Sequence, residues 1–152
     1  MANLAEFQKR LSKIASREAL ERILFDEIRR YENVFINLQK KQLDQGEDNE
    51  GDIFGYYSEA TENWPRNYTP RKPKKAGDPY NYQDTGGLFD GMELLVDGTQ
   101  AQFWSKDEKT PFLVQEYKNL FGLQDDNLKK AISKVISPAF MPQLTKTRTT
   151  PS

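Results

Sequence analysis

Apolar residues recur at intervals of three and four positions through the first part of the chain. They are Leu4, Phe7, Leu11, Ile14, Leu20, Ile23, Leu24, Ile28, Tyr31, Val34, Phe35 and Leu38. This spacing lines up apolar side chains on one face of a helix, which packs into the core or, alternatively, against a partner helix. Ser16 is a favourable helix cap and Gly46 a favourable stop. We therefore predict a short helix, then a long helix from Ser16 to about Gly46.

The stretch from about residue 44 to residue 84 shows neither helical nor strand periodicity. A structureless segment this long usually binds something or is disordered. Its aromatic residues favour binding, because such rings bury a large area while their polar tips stay satisfied. They are Tyr56, Tyr57, Trp64, Tyr68, Tyr80 and Tyr82. We therefore predict an extended arm or long loop. Since one small core cannot cover all six rings, its part from about Gly51 to Tyr82 should lie across a neighbouring subunit, either another copy or an adjoining protein.

The segment TGGLFDG predicts a capped turn of helix after the arm. Asp84 or Thr85 can accept backbone N–H bonds, and Gly86 and Gly87 permit dihedral angles that other residues avoid. These glycines do not form a phosphate-binding loop, because the Walker spacing and the following Lys-Ser/Thr are missing. Thr85 and Gly86 are therefore assigned to a structural turn.

A β-hairpin is the next predicted element. Strand-compatible runs extend from Met92 to Val96 and from Thr99 to Trp104. Between them lie Asp97 and Gly98, the residue pair that a two-residue type I′ turn requires. The edge of this hairpin could accept a strand from a neighbour.

Two more helices are predicted toward the C-terminal end. Thr110-Pro111 opens a short helix, because proline at the first helical position gives up only a donor that is free anyway. Residues 119–123 are predicted to form a buried connector. A last helix begins near Asp125, and Pro138 and Pro142 limit it.

The whole chain is predicted to form one α+β domain. Its 152 residues fit a single core better than two. The domain spans residues 1–144, with long helices first, the arm at about 44–84, a central hairpin and a C-terminal helix. Residues 145–152 form a polar tail.

Composition narrows the chemistry that the chain can perform. It contains no Cys and no His, which removes disulfides, thiolate metal sites and the commonest general base. The formal net charge of -1 gives no global attraction to nucleic acid or membranes. No apolar run reaches the length of about 18 residues that a membrane span needs. We predict a soluble protein made in a cytoplasm, with no enzymatic activity and no cofactor.

Five carboxylates lie close together at the start of the arm: Asp44, Glu47, Asp48, Glu50 and Asp52. Their spacing does not fit an EF-hand, because no bidentate Glu arrives at the twelfth position. A Mg²⁺ nuclease site would need acids on rigid elements with a supporting second shell. A solvated loop is therefore favoured over a calcium or magnesium site, and no metal-binding or catalytic residue is assigned.

A basic run follows in the arm: Arg71, Lys72, Lys74 and Lys75. Tyr68 and Tyr80 flank it, and cations beside stackable rings suit single-stranded nucleic acid. Four charges are few for such a role. Pairing between subunits through the acidic run, or contact with an acidic partner, is at least as well supported. We include all four cations with the six rings in the candidate assembly interface.

Several short blocks, taken in order, resemble a known group of proteins. The blocks are NLQKKQLDQGEDNEGDIFGYYS, YNYQDTGGLFDGM, the hairpin and NLFGL. They resemble small virion proteins of phages of Bacteroides and relatives, including crAss-like phages. The Thr85-Gly86 and FGL blocks also look like those of tail-completion proteins in long-tailed phages. The resemblance covers about Tyr31 to Met141, and the insertion of Gly87 departs from the pattern of the group.

The resemblance implies a structural virion protein located in the neck or tail region and assembled in the host cytoplasm. It implies a ring-forming head-tail connector, neck or tail-completion component, built as a homo-oligomer of six or twelve copies. The implied partners are the portal and neighbouring ring or tail proteins, and DNA would only pass through the channel. The alternative hypothesis is a non-structural phage accessory protein that binds single-stranded nucleic acid through the basic, aromatic arm.

Overall fold

A computed structural model describes residues 17–97 and 100–136 of the chain. Within these ranges the protein contains six helices and one two-stranded antiparallel hairpin, which confirms the α+β class. Four predicted features lie outside the described residues: the short N-terminal helix, Gly98, the two C-terminal prolines and the polar tail. No helix in the described part is long and apolar enough to cross a membrane.

Two consecutive helices occupy the region of the predicted long helix. Helix α1 spans Arg17–Arg30 and helix α2 spans Glu32–Asp44. The prediction of one uninterrupted helix is wrong at Tyr31, whose backbone leaves the helical region at φ -112 and ψ 32. The Val34 N–H consequently bonds to the Tyr31 carbonyl, three residues back, at 3.0 Å. The predicted end is confirmed, because Gly46 follows α2 with a φ of +76.

The buried side of α2 is the centre of the core. Its buried residues are Phe35, Ile36, Gln39, Gln42 and Leu43. They recur at three- and four-residue intervals, as expected for a helix that buries one face. Apolar side chains from the rest of the chain complete the core: Ile28, Leu88, Phe89, Met92, Leu94, Phe103, Leu120 and Ala131.

The hairpin consists of β1, Met92–Asp97, and β2, Gln100–Ser105. Asp97 pairs with Gln100, so Asp97 ends a strand and does not belong to the turn. The first strand therefore ends one residue later than predicted, at Asp97, whereas the predicted start of the second strand at Thr99 lies outside the described residues. One face of the hairpin lies on the core, and the opposite face leaves Leu95 about half exposed.

The remaining helices are short. They are α3 at Glu59–Glu62, α4 at Gly87–Asp90, α5 at Thr110–Glu116 and α6 at Asp125–Ala131. A π-helical turn, Ile132–Ile136, continues α6. The start of α5 at Thr110-Pro111 and the start of α6 at Asp125 are as predicted. Leu120 is fully buried in the connector between them.

Two buried glutamines of α2 fix the connector. The Gln42 amide donates to the carbonyls of Gly122, at 2.8 Å, and Asp48, at 3.0 Å. Its oxygen accepts the Gln124 N–H and an Asn127 amide proton. The Gln39 oxygen accepts the Gly122 N–H at 2.7 Å. A buried amide that satisfies several backbone groups orients neighbouring segments, so Gln42 joins the start of the arm to the connector and α6.

Candidate assembly interface

The arm, residues 45–84, is folded on its own subunit at both ends. Tyr56 forms a bridge with Pro79. The Tyr57 N–H donates to the Asp78 carbonyl at 2.9 Å, and the Tyr80 N–H donates to the Gly55 carbonyl at 3.0 Å. The two ends therefore run side by side with sheet-like bonds. These bonds close the segment into a loop anchored on the domain, which is one of the two forms that the sequence predicted.

An aromatic cluster covers the base of this loop. Its members are Phe54, Tyr57, Tyr80, Tyr82 and Tyr117. The ring centroids lie 5.0 to 6.5 Å apart, mostly in edge-to-face contact, an arrangement that aromatic quadrupoles favour. Burial raises the pKa of the Tyr57, Tyr82 and Tyr117 hydroxyls, because the charged form would be poorly solvated.

The aromatic cluster revises the assignment of three predicted interface residues. Tyr57, Tyr80 and Tyr82 are partly buried against their own chain. Tyr80 and Tyr82 pack on Tyr117, which follows the proline-initiated helix α5, and Tyr57 packs on Tyr80. The argument that one small subunit cannot cover these rings is therefore wrong for half of the six. Sequence periodicity could not show this, since the contacting rings lie 23 to 37 positions apart along the chain.

The other three predicted rings remain exposed. Tyr56 is 59% exposed, Trp64 is 68% exposed and Tyr68 is 45% exposed. Trp64 and Tyr68 line one shallow hollow together with the residues between them and Lys74. Single exposed apolar residues are common, but contact of these neighbouring rings with a partner would remove a large apolar area from water. These rings are the part of the arm that is available to a partner.

The backbone around Trp64 is held by hydrogen bonds. The Ser58 hydroxyl caps α3 by accepting the Thr61 N–H at 3.1 Å. The Arg66 guanidinium donates to the carbonyls of Thr61, at 2.8 Å, and Trp64, at 3.1 Å. The Trp64 ring is therefore displayed on a short, internally bonded turn, so a partner would order little additional chain on binding.

Asp84 anchors the other side of the hollow. Its carboxylate accepts the Tyr68 hydroxyl at 2.9 and 2.8 Å and lies 3.0 Å from the Lys74 ammonium. Lys109 lies 3.8 Å away. Burial alone would raise the pKa of Asp84, but the hydrogen bonds from Lys74 and Tyr68 and the two cations lower it below its usual value. The sequence identified Asp84 only as a possible helix cap.

The basic run is largely paired within the subunit. Arg71 binds both carboxylate oxygens of Asp90 at 2.7 Å. Lys72 lies 2.7 Å from Asp44, a member of the acidic run. With Lys74 on Asp84, three of the four cations have carboxylate partners on the same chain. Lys75 is exposed and forms no ion pair with another described residue. The acidic and basic runs thus meet inside one subunit through Asp44 and Lys72.

The predicted turn at Thr85 and Gly86 is present. Gly86 adopts a left-handed conformation, with a φ of +88, and precedes α4. The Thr85 hydroxyl accepts the Gly87 N–H at 3.4 Å. The turn, Leu113 and the aromatic cluster border a cleft of about 300 Å³.

Asp48, at the centre of the acidic run, stabilises a tight loop. The Asp48 carboxylate accepts the N–H groups of Glu50, at 2.8 Å, and Asp52, at 2.9 Å. Within residues 17–97 and 100–136, no group of three acidic side chains is arranged to hold a metal ion. The arrangement closes a tight loop, which is a common use of aspartate in turns.

Comparison with known proteins gives no identification. No protein-family model, no curated protein and no solved structure matches this chain.

Proposed function

We propose that this protein is a structural virion protein of a tailed bacteriophage. In this proposal it forms a ring at the neck or tail, as a head-tail connector or tail-completion component that joins portal and tail. The order of short sequence blocks supports the virion assignment by resemblance. The exposed Trp64, displayed on an internally bonded turn, is the observation that supports a role in protein assembly.

Trp64 has the properties of an interface anchor. Tryptophan and tyrosine are enriched among the residues that dominate binding energies, since they bury a large area with few rotatable bonds. The Tyr68 hydroxyl is already fixed by Asp84, so its ring needs no reorientation to contact a partner. The arm is thus preorganised, which reduces the entropic cost of association. A closed ring would supply the complementary surface on each neighbouring copy.

The alternative, a single-strand nucleic-acid binder, receives less support from the charges. Nucleic-acid affinity depends on cations that can neutralise phosphates. Here Arg71, Lys72 and Lys74 have intramolecular carboxylate partners, and among the four only Lys75 has none in the described part of the chain. DNA binding that weakens steeply with salt would support the alternative over the ring.

The decisive experiment compares two exposed aromatic residues. Trp64→Ala should weaken self-assembly by about 2 kcal/mol per contact, roughly thirtyfold, as expected for an anchor residue. Phe112→Ala is the matched control, because Phe112 is 73% exposed but belongs to α5 and not to the arm. Native mass spectrometry gives the copy number, and peptide mass spectrometry of purified particles tests for incorporation.

Two results would contradict the proposal. One is absence of the protein from purified particles. The other is assembly by the Trp64→Ala variant at the same concentration as the unsubstituted protein and Phe112→Ala. Circular dichroism of each variant confirms that the isolated subunit remains folded, which separates an interface effect from unfolding.

A further inference from the structure

The outer edge of β2 presents backbone groups that have no hydrogen-bond partner among the described residues. In an antiparallel pair, alternate residues direct their N–H and C=O groups toward the partner strand and away from it. Arg29 donates to the Val96 carbonyl at 3.1 Å, so the backbone groups of Val96 point away from β2. Val96 is opposite Ala101, and Leu94 is opposite Phe103. Ala101 and Phe103 therefore direct their backbone groups to the outer side of β2.

The two edges of the hairpin differ. Helices α1 and α2 pack against β1, and Arg29 occupies a carbonyl at its outer edge. Beside β2, by contrast, no further strand pairs with it in the described part of the chain. An apolar groove of about 410 Å³ runs there, lined by Phe103, Trp104, Phe121, Leu123 and Leu128, among others. Among the described residues, no strand lies at the outer edge of β2, and the connector approaches β2 through Phe121, whose ring lies 6.3 Å from that of Trp104.

The composition of β2 does not protect this edge. Sheet edges are usually blocked by charged side chains, proline or bulges. Gln100–Ser105 reads QAQFWS and has no charge and no proline. All six of its residues pair in regular register with β1, so no bulge interrupts the strand. A neutral, regular and open edge next to an apolar groove favours the addition of another strand.

We propose that the β2 edges of two copies of this chain pair in antiparallel orientation to form a dimer. Arg29 already bonds to the outward Val96 carbonyl of β1, so we assign the contact with a second copy to the edge of β2. Contact between identical edges gives a twofold axis, the commonest symmetry of protein dimers. Two hairpins would then form one four-stranded sheet, and the groove beside each β2 would lose its contact with water.

The charges beyond the edge agree with this pairing. Lys106, which follows β2, lies 3.8 Å from Glu93 of its own chain. Antiparallel pairing carries Lys106 toward the start of the other β2, next to Asp97 of the partner subunit. By strand alternation, the side chains of Lys106, Glu93 and Asp97 lie on the same face of the sheet. Each Lys106 would therefore lie between Glu93 of its own chain and Asp97 of the partner subunit. We assign the register that places the small Ala101 opposite the large Phe103, with the two copies of Gln102 facing each other on the axis.

The dimer is independent of the proposed ring. A ring between portal and tail has two different ends, and therefore it contains no twofold axis of this kind. The β2 contact would thus form in the protein outside the ring. The Trp64 experiment tests the ring, whereas the experiments below test only the β2 edge. Either proposal can fail without the other.

Proline substitution at Ala101 tests the edge directly. The Ala101 N–H points away from β1, so Ala101→Pro removes the outward donor and leaves the hydrogen bonds between β1 and β2 in place. Symmetry removes two intersubunit bonds at once, and the dimer dissociation constant should rise at least about tenfold. Ala101→Val, which keeps the donor, is the control and should dimerise normally. The measurement is sedimentation velocity over a concentration series.

Single cysteines test the register. Because the chain has no Cys, each introduced thiol is unique. Gln102→Cys should form an intersubunit disulfide rapidly under mild oxidation, whereas Leu95→Cys, on the same face of β1 but away from the axis, should not. The proposal is overturned if the protein is monomeric up to its solubility limit, if Ala101→Pro dimerises as well as Ala101→Val, or if both cysteine variants cross-link at equal rates.

Discussion

The guanidinium group of Arg71 lies directly against Gly86, in the space that a Cβ at position 86 would occupy. Both terminal nitrogens of Arg71 are engaged with Asp90 at 2.7 Å, which fixes the side chain over the turn. The hydrogen bond from Arg71 lowers the pKa of Asp90 below its usual value. The arm is thereby attached to α4, and the attachment depends on the absence of a side chain at position 86.

We expect Gly86→Ala to displace Arg71 from Asp90. The pKa of Asp90 should then rise toward its ordinary value, which carboxyl-carbon NMR during a pH titration would detect. Gly77→Ala is the matched control, since Gly77 has a φ of +87 but no other group within 4 Å of the position that a Cβ would take. Both variants should lose about 1 kcal/mol from the left-handed backbone alone. An unchanged Asp90 titration in Gly86→Ala would show that the arginine does not need the glycine.

We expect Gln42→Ala to lower the free energy of unfolding by about 3 kcal/mol. The substitution leaves the Gly122 carbonyl and the Gln124 N–H without their partner in a buried region, and such groups are costly to leave unsatisfied. Gln45→Ala is the control, because Gln45 is exposed just beyond the end of α2. Urea unfolding curves provide the measurement. Equal midpoints for the two variants would mean that the buried amide contributes little stability.

The sequence predicted those elements whose signal is local. Proline at the start of α5 and the polar run before α6 act within one turn of helix, so Thr110 and Asp125 were placed correctly. The α+β class followed from the same kind of signal. The end of β1 was missed by one residue, because strand pairing is decided by the register of both strands, with Asp97 opposite Gln100.

The sequence could not predict features that depend on distant contacts. Gln42 looked like any polar residue of a helix, although its amide bonds to residues about 80 positions away. Tyr82 and Tyr117 meet only after the chain has folded. The charge runs pointed to a binding surface, yet Lys72 lies on Asp44 of the same chain. Of the six rings in the candidate interface, Tyr56, Trp64 and Tyr68 are exposed on the subunit, and their contact with a partner stays a prediction.

The stability of the protein should depend on Asp84 at low pH. The folded-state pKa of Asp84 is lower than its value in the unfolded chain, so its contribution is present above the unfolded pKa of about 4. That contribution is lost as the pH falls through the lower, folded pKa, because Lys74 and Tyr68 then bond to a neutral acid. Melting temperatures between neutral pH and pH values below about 4 measure this loss.

Asp84→Asn should flatten that acid dependence. The variant lacks the titrating group, so its melting temperature should be lower at neutral pH and should decrease less on acidification. Glu108→Gln, a change at an exposed acid in the turn before α5, should keep the steep profile of the unsubstituted protein. Parallel pH profiles for all three proteins would show that Asp84 is not a main contributor.

Removing a single hydroxyl should have opposite effects at two positions of the aromatic cluster. The Tyr82 hydroxyl is buried and has no hydrogen-bond partner among the described residues. The Tyr57 hydroxyl accepts the Asn81 N–H at 3.1 Å and donates to the Asn81 side-chain oxygen at 3.3 Å. An unpaired buried hydroxyl costs free energy, whereas a paired one contributes. Tyr82→Phe should therefore stabilise the protein by up to about 1 kcal/mol, and Tyr57→Phe should destabilise it by about 1 kcal/mol.

Both variants keep the ring packing, so urea unfolding at neutral pH measures the contribution of the hydroxyl groups alone. Destabilisation by both substitutions to the same extent would indicate that the Tyr82 hydroxyl has a partner in solution and that the cluster is held together by more than its rings.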